Sequence, residues 1–239
     1  MKVKAIKTRV FRENEDIIKF ITNHVPSVKE GSIIAVTSKI ISLSEGRVVD
    51  SNDSRTKEKL IKQESDVAIQ TKYTWLTLGD GMMSSSAGID ESNADGKLIL
   101  LPKDSFESAK KIRRALQKFY RIKKLGVVVT DSRTLPMRAG AVGVALGYAG
   151  FKGIRDYRKT PDIFGRPFKV SRANIADGLA ASAVLAMGEG REQCPLALIE
   201  GMQDVSFTER IDRNEIKIDI RDDMYGPLFA KYFKKKNGK

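Results

Sequence analysis

The chain has one cysteine, Cys194, and one histidine, His24. A single thiol forbids an intrachain disulfide, and the expectation that follows is a reducing compartment, the cytoplasm. A Ser-His-Asp triad or a histidine-based zinc site would have to rest on His24 alone, which the sequence places in a loop before Pro26. Cys194, in "REQCPLA", has no histidine near it in sequence and reads as a small buried residue rather than a nucleophile. GxSxG, Walker A and GxGxxG patterns are all missing. No apolar run approaches the ~18 residues that cross a bilayer. The start, "MKVKAIKTRVF", has no apolar h-region and no small-residue cleavage site, so no signal peptide is expected. Aromatic residues are 7% of the chain, and no RRM, zinc-finger or helix-turn-helix signature accompanies them. Acid is outnumbered: 43 Lys and Arg against 30 Asp and Glu leave +13, or +9 without the terminal Lys234, Lys235, Lys236 and Lys239. That excess points to anionic ligands such as nucleotides, folates or other polyanionic small substrates. Nucleic acid is not an expected partner, and the terminal lysines read as a solvated tail.

What is present is a mixture of strand and helix signals. Residues 3–7 read as a first strand. In "ENEDIIKFITNHV", Ile17, Phe20 and Ile21 share one helical face and acids fill the first turn. Residues 33–36 form a buried-type strand with Thr37, Ser38 and Lys39 at its polar exit. "EGRVVD" is a short strand, "SRTKEKLIKQES" a charged helix, and "KYTWLTL", "GMMSSSAGI" and "KLILLP" short strands. Gly79, Asp80 and Gly81 mark a hairpin turn. The helix of residues 104–123 opens with a capping box of Asp104 and Glu107, and its stripe is Phe106, Ala109, Ile112, Leu116 and Phe119. "LGVVVTDS" reads as a central strand because its apolar run is continuous. "RAGAVGVALGYAGF" permits close backbone approach, and "DYRKTPDIFGRPFKV" is a turn-rich connection. A helix with Ile175, Leu179 and Ala183 on one face stops at Gly188, and "CPLALIEG" is the last strong strand. Hairpins mix with crossovers and no clean linker interrupts them. The expected fold is therefore α+β, mixed sheets with packed helices, two lobes in one compact unit. Residues 1–204 are expected to form the catalytic domain and 205–239 a C-terminal extension with a basic tail.

Three carboxylates directly follow apolar elements: Asp90 after "SSSAGI", Asp131 after "GVVVT", and Glu189 one glycine beyond the helix "AVLAM". A carboxylate there is costly unless charge or hydrogen bonds compensate it. If the three ends converge, they offer hard oxygen donors to a divalent cation, with Ser132 adding a hydroxyl. Taken singly, Asp90 is equally readable as a turn residue, Asp131 as a cap and Glu189 as surface. "DESNADGK" is not an EF-hand, since Ala94 stands at the fifth position and Leu101 at the twelfth. Lys39, Arg133, Arg138 and Arg166 are candidate partners for phosphate or carboxylate. The residues leave metal-assisted chemistry on an anionic substrate, or a non-enzymatic protein that binds anions or RNA.

In order along the chain, "VTSKIISLSEGRVV", "SAGIDESN", "VVVTDSRTLPMRAG", "GVALGYAG", "DIFGR" and "MGEG" resemble the γ-glutamyl ligases that act on the deazaflavin coenzyme factor 420. Within that family the chain is most similar to the branch described as folate-metabolism γ-glutamate ligases. The resemblance implies a nucleotide-dependent amide ligase, an intertwined homodimer with its active site near the interface, ATP or GTP as co-substrate, and Mg²⁺ or Mn²⁺. It assigns the metal to Asp90, Asp131, Ser132 and Glu189. It assigns the nucleotide to Thr8, Arg9, Val10, Phe11, Ser38, Lys39, Asn93, Met187, Gly188, Glu189, Gly190, Arg191, Glu192, Gln193 and Cys194. Asp90, Asp131 and Lys39 carry the catalytic assignment, with glutamate joined to the γ-carboxylate of a folate or, as the alternative, to the deazaflavin precursor. The chain departs from the family pattern in four places, one being Thr8 to Phe11, which match by position more than by residue type. Leu43 stands where a lysine is usual, with Lys39 four residues earlier as its substitute. TDS replaces TDT. The continuation usually written "FGRPWR" is here "RTLPMR", from Arg133 to Arg138.

Overall fold

A computed structural model describes residues 1–50, 53–203 and 205–233. The elements run β1 (Lys2–Ile6), α1 (Ile17–His24), β2 (Ser32–Thr37), α2 (Ser38–Ser44), β3 (Val48–Val49), α3 (Ser54–Gln63), β4 (Val67–Gln70), β5 (Trp75–Gly79), β6 (Met82–Ser85) and β7 (Leu98–Ile99). They continue with α4 (Ser105–Tyr120), β8 (Leu125–Thr134), β9 (Ala141–Ala149), β10 (Ile154–Asp156), β11 (Arg172–Asn174), α5 (Ile175–Met187), β12 (Leu196–Glu200) and α6 (Gly226–Phe233). The α+β expectation of mixed sheets with packed helices holds.

The main sheet has the order β1-β12-β2-β8-β9. Its one parallel pair is β2 with β8; the other neighbours are antiparallel. Residues 33–36 of β2 and 125–129 of β8 run without a polar side chain because both faces are covered. Ile34, Val36, Val127 and Val129 join Phe20 and Ile21 of α1 and Ala109, Ile112 and Leu116 of α4. Ile33, Ala35 and Val128 join Ala176, Leu179, Ala180 and Ala183 of α5. Each fully buried Leu or Ile among them contributes roughly 1.5–3 kcal/mol. A third apolar cluster, Ile61, Ala87, Ile89, Leu98 and Leu100, sits beneath α3 and beside the antiparallel sheet β4-β5-β6.

Glycine lets the strand β9 lie between two helices. A Cβ on Gly147 would fall 2.5 Å from the Ser105 carbonyl carbon at the start of α4, and one on Gly143 would fall 2.6 Å from Ala180 O of α5. The β5–β6 hairpin turns through Asp80 and Gly81, both at positive φ as a two-residue primed turn requires. Asp104 caps α4 by accepting from Glu107 N at 3.0 Å.

Several boundaries differ from the sequence reading. The acids before α1 precede the helix, and Asp16 caps it by accepting from Ile18 N and Lys19 N. His24 is the last helical residue, its Nδ1 2.8 Å from Phe20 O, rather than a loop residue. Phe119 is exposed, and the buried stripe of α4 instead includes Arg113. Thr37, Ser38 and Lys39 do not trail off the strand; they turn straight into α2, whose Ile40 and Ile41 are buried. β4, four residues long, has too short a run for periodicity to reveal.

Past Asp204, itself outside the described residues, the chain returns to the core. Arg113 donates to Leu125 O at 2.7 Å and grips both carboxylate oxygens of Glu209, at 2.7 and 2.5 Å. Glu215 accepts from Tyr148 Oη and from Gly153 N. The tail lysines 234, 235, 236 and 239 lie outside the described residues.

Gly147→Ala should lower stability by about 1–3 kcal/mol, because backbone rather than a movable side chain blocks the added methyl. Gly178→Ala, inside α5 with nothing near its Cβ position, should raise it by about 0.5–1 kcal/mol. Urea unfolding of the two variants checks both signs.

Candidate active site

The parallel register places Thr37 opposite Thr130. Both strands therefore deliver their next residues, Ser38 and Asp131, to the same end of the sheet. Ser38 Oγ lies 3.3 Å from Asp131 Oδ1 although 93 positions separate them. A cleft of about 560 Å³ opens there. It is lined by Thr8, Arg9, Val10 and Phe11 after β1, by Ser38 and Lys39 of α2, by Asp90 and Asn93, by Asp131 and Ser132, and by the segment Met187, Gly188, Glu189, Gly190, Arg191, Glu192, Gln193 and Cys194. Every residue the sequence reading singled out for metal or nucleotide is on its wall.

Hydrogen bonds tie these segments together. Thr8 N donates to Gln193 O at 3.0 Å, and Thr37 N to Pro195 O at 3.0 Å. Asn93 Nδ2 reaches Gly190 O at 3.1 Å. Gly188 ends α5 at positive φ, and a Cβ there would overlap Glu192. The arm carrying Asp90 is not the end of a long strand. β6 stops at Ser85; Ser86, Ala87 and Gly88 turn through positive φ, and Asp90 pairs with Ile99 as an isolated bridge. Asp90 Oδ1 accepts from Ser92 N at 2.7 Å, the turn role that a lone aspartate also satisfies.

The carboxylates are compensated by protein groups. Lys39 Nζ lies 2.8 Å from Asp90 Oδ2 and 2.7 Å from Ser92 O. Arg133 Nη1 is ion-paired to Asp131 Oδ2 and lies 3.2 Å from Ser132 O. Ser132 Oγ donates to Glu189 Oε1 at 2.6 Å. Asp131 is not a strand end, since β8 continues to Thr134. A bulge between Val129 and Thr130 leaves Leu146 of β9 unopposed. Beyond it Asp131 and Arg133 turn toward α2, whereas Ser132 turns toward the end of α5. The two proposed metal donors of the TDS motif thus point to opposite sides of the strand.

Burial drives the Asp131 carboxyl above its ordinary range, against the opposing pull of the Arg133 guanidinium. Burial also acts on Asp90, but the Lys39 ammonium and the Ser92 amide outweigh it, and its carboxyl sits below the ordinary value. Asp90, Asp131, Ser132 and Glu189 suit a hard divalent cation in donor chemistry. Among the described residues, however, no three acidic, histidine or cysteine side chains come close enough to hold a metal ion. Arg138 and Arg166 are exposed and outside the cleft. Thr130, whose Oγ1 is buried without a partner, and Ser92, which accepts Lys39, were not singled out from sequence. Their signals are modest: a hydroxyl closing an apolar run, and a position two residues after an aspartate. No helix among the described residues is long and apolar enough to cross a membrane.

The sequence model of the F420-0:Gamma-glutamyl ligase family matches residues 5–201. A protein of Methanopyrus kandleri named coenzyme F420:L-glutamate ligase is 30% identical over 214 residues, 82% of this chain and 84% of its own. Proteins of the same name from Methanocaldococcus jannaschii and Methanothermobacter thermautotrophicus are 32% and 33% identical over 192 residues each. These cover 73% and 72% of this chain and 77% and 75% of theirs.

The two aspartates should titrate on opposite sides of the ordinary aspartate value, Asp131 above and Asp90 below. For Asp90 the lowered value means stability present above its unfolded pKa and lost as pH falls through the folded one. For Asp131 the sign reverses, and ionisation removes stability as pH rises. Carbon-detected NMR titration of the carboxyl signals reads both; a shared midpoint contradicts the assignment.

Proposed function

This chain belongs to the F420-0:Gamma-glutamyl ligase family, and on that premise we propose that it joins L-glutamate to the deazaflavin coenzyme precursor at the expense of a nucleoside triphosphate. The enzyme class, an acid–amino-acid ligase of γ-glutamyl type, comes with the family. The acceptor is our reading. The relatives are named for coenzyme F420, which favours the deazaflavin acceptor over the folate that the sequence branch suggested. The observation that carries the proposal is the convergence of all the assigned residues, from Thr8 to Cys194, on one cleft.

Amide formation in water needs an activated acyl group. In the proposed reaction the terminal phosphoryl of ATP or GTP passes to the acceptor's carboxylate, giving an acyl phosphate and a nucleoside diphosphate. The α-amine of glutamate attacks the acyl carbon, the C–O bond to phosphate breaks, and phosphate and a proton leave. The protein supplies no nucleophile; it holds anions together, offsets their charge and limits water. Lys39 sits where an ammonium can meet a phosphate oxygen, beside Ser38. The segments 8–11 and 187–194, tied by the Thr8–Gln193 bond, form the nucleotide wall. Asp90, Asp131, Ser132 and Glu189 are the residues that would hold Mg²⁺ or Mn²⁺. Such an ion supplies charge neutralisation at the phosphoryl oxygens. A homodimer belongs to this reading.

Asp131→Asn should abolish ligation with the far-UV spectrum unchanged. Mass spectrometry of products from the deazaflavin precursor and from tetrahydrofolate monoglutamate, each with glutamate, nucleotide and Mg²⁺, separates the acceptors. A glutamyl adduct on the folate alone overturns the proposed substrate.

A further inference from the structure

Arg133 stands where the family pattern has no arginine, and it is one of the most unusual groups in the cleft. Its side chain is only 8% exposed, yet its Nε is buried without any hydrogen-bond partner. A buried unmet donor is costly. Its Nη1 is shared between Asp131, the most buried of the three proposed metal-site acids, and the Ser132 carbonyl oxygen at 3.2 Å. Asp131 Oδ1 is in turn taken by Ser38. Both oxygens of this acid are therefore engaged by protein groups, and the same holds in part for Asp90, paired to Lys39.

A guanidinium has a planar fork of five donors suited to two parallel bonds with a carboxylate or phosphate. Here Nη1 serves Asp131 and the Ser132 carbonyl, and the adjacent Nε is buried with nothing to bond. That is the arrangement of a cation waiting for a second anion. It also accounts for the missing three-acid cluster: protein cations stand where a divalent ion would otherwise draw the acids together.

We propose that Arg133 is an exchangeable counter-ion. It holds Asp131 while no divalent cation is bound, and on cation binding it transfers its fork to an anionic oxygen of the bound substrates, a phosphoryl or carboxylate oxygen. Arg133 is thus a substrate-positioning residue of this chain, and it makes cation binding and anion binding cooperative. No bond is made or broken; only partners exchange. The idea rests on the ligase reading for the identity of the anion, but not for the competition at Asp131.

The test is Mn²⁺ binding to the full chain without nucleotide, followed by electron paramagnetic resonance of the free ion. Arg133→Met should bind Mn²⁺ on the order of tenfold more tightly than the parent protein, because the competing cation is gone. A merely structural loss would not tighten an ion site. With Mn²⁺ saturating, the same variant should show a raised KM for nucleotide or acceptor, with kcat changed less. Arg133→Lys, which keeps the charge but not the fork, should restore the weak parental Mn²⁺ affinity without restoring KM. It serves as the second variant if Arg133→Met does not fold. Equal or weaker Mn²⁺ binding in Arg133→Met, or a Lys variant that matches Met, overturns the exchange. If the parent protein forms no glutamyl product while the Mn²⁺ result stands, the ligase reading fails and the exchange survives.

Discussion

The candidate site depends on the parallel pairing of β2 with β8. A parallel pair ends at one edge of its sheet, so both chains leave in the same direction. With Thr37 opposite Thr130, the residues that follow must meet. Ser38 and Lys39 come from one strand, Asp131 and Arg133 from the other. The pair is held by apolar contacts on both faces, to α1 and α4 on one side and to α5 on the other. The remaining walls are added to this edge. The arm bearing Asp90 is held over it by Lys39, and the segment after α5 by Thr8 and Asn93.

Two acids of the cleft are matched by cations. A carboxylate away from water destabilises a fold unless it is matched: Lys39 pairs with Asp90 and Arg133 with Asp131, whereas Glu189 is exposed and takes only the Ser132 hydroxyl. The consequence is that Lys39 and Arg133, the two basic groups beside these acids, are ion-paired within the cleft. Strand alternation divides the adjacent Asp131 and Ser132 between two faces, and the extra Leu146 of β9 shifts the register just before them.

Much of the scaffold was legible. The stripe Phe106, Ala109, Ile112 and Leu116 specified α4, and the unbroken apolar run of β8 specified an interior strand. Gly79, Asp80 and Gly81 specified a hairpin because only residues tolerant of positive φ make a two-residue primed turn. The errors have physical causes. Phe119 fits the helical period, but in the last turn of α4 it is Tyr120 that packs on the core, its hydroxyl donating to Val25 O, and Phe119 stays exposed. Ser86, Ala87 and Gly88 continue an apolar pattern, yet they turn, because the Ala87 amide is captured by the buried Thr77 hydroxyl at 2.8 Å. Asp131 looked terminal because polarity began there, but β8 runs on as long as β9 supplies hydrogen bonds.

By itself the sequence determined which residue types were available for chemistry: one histidine, one cysteine and no nucleophile-elbow pattern. Its ordered motifs raised the expectation that the acids at 90, 131 and 189 share a site, and all three line one cleft. Only the tertiary structure decided what each acid touches. Identity and spacing along a chain carry no information on which cation arrives beside a carboxylate; that follows from strand register, a bulge and the ends of helices. Arg133 illustrates the difference. In sequence it is one arginine among many, and its place beside Asp131 with a free donor edge exists only once β8 is paired on both sides.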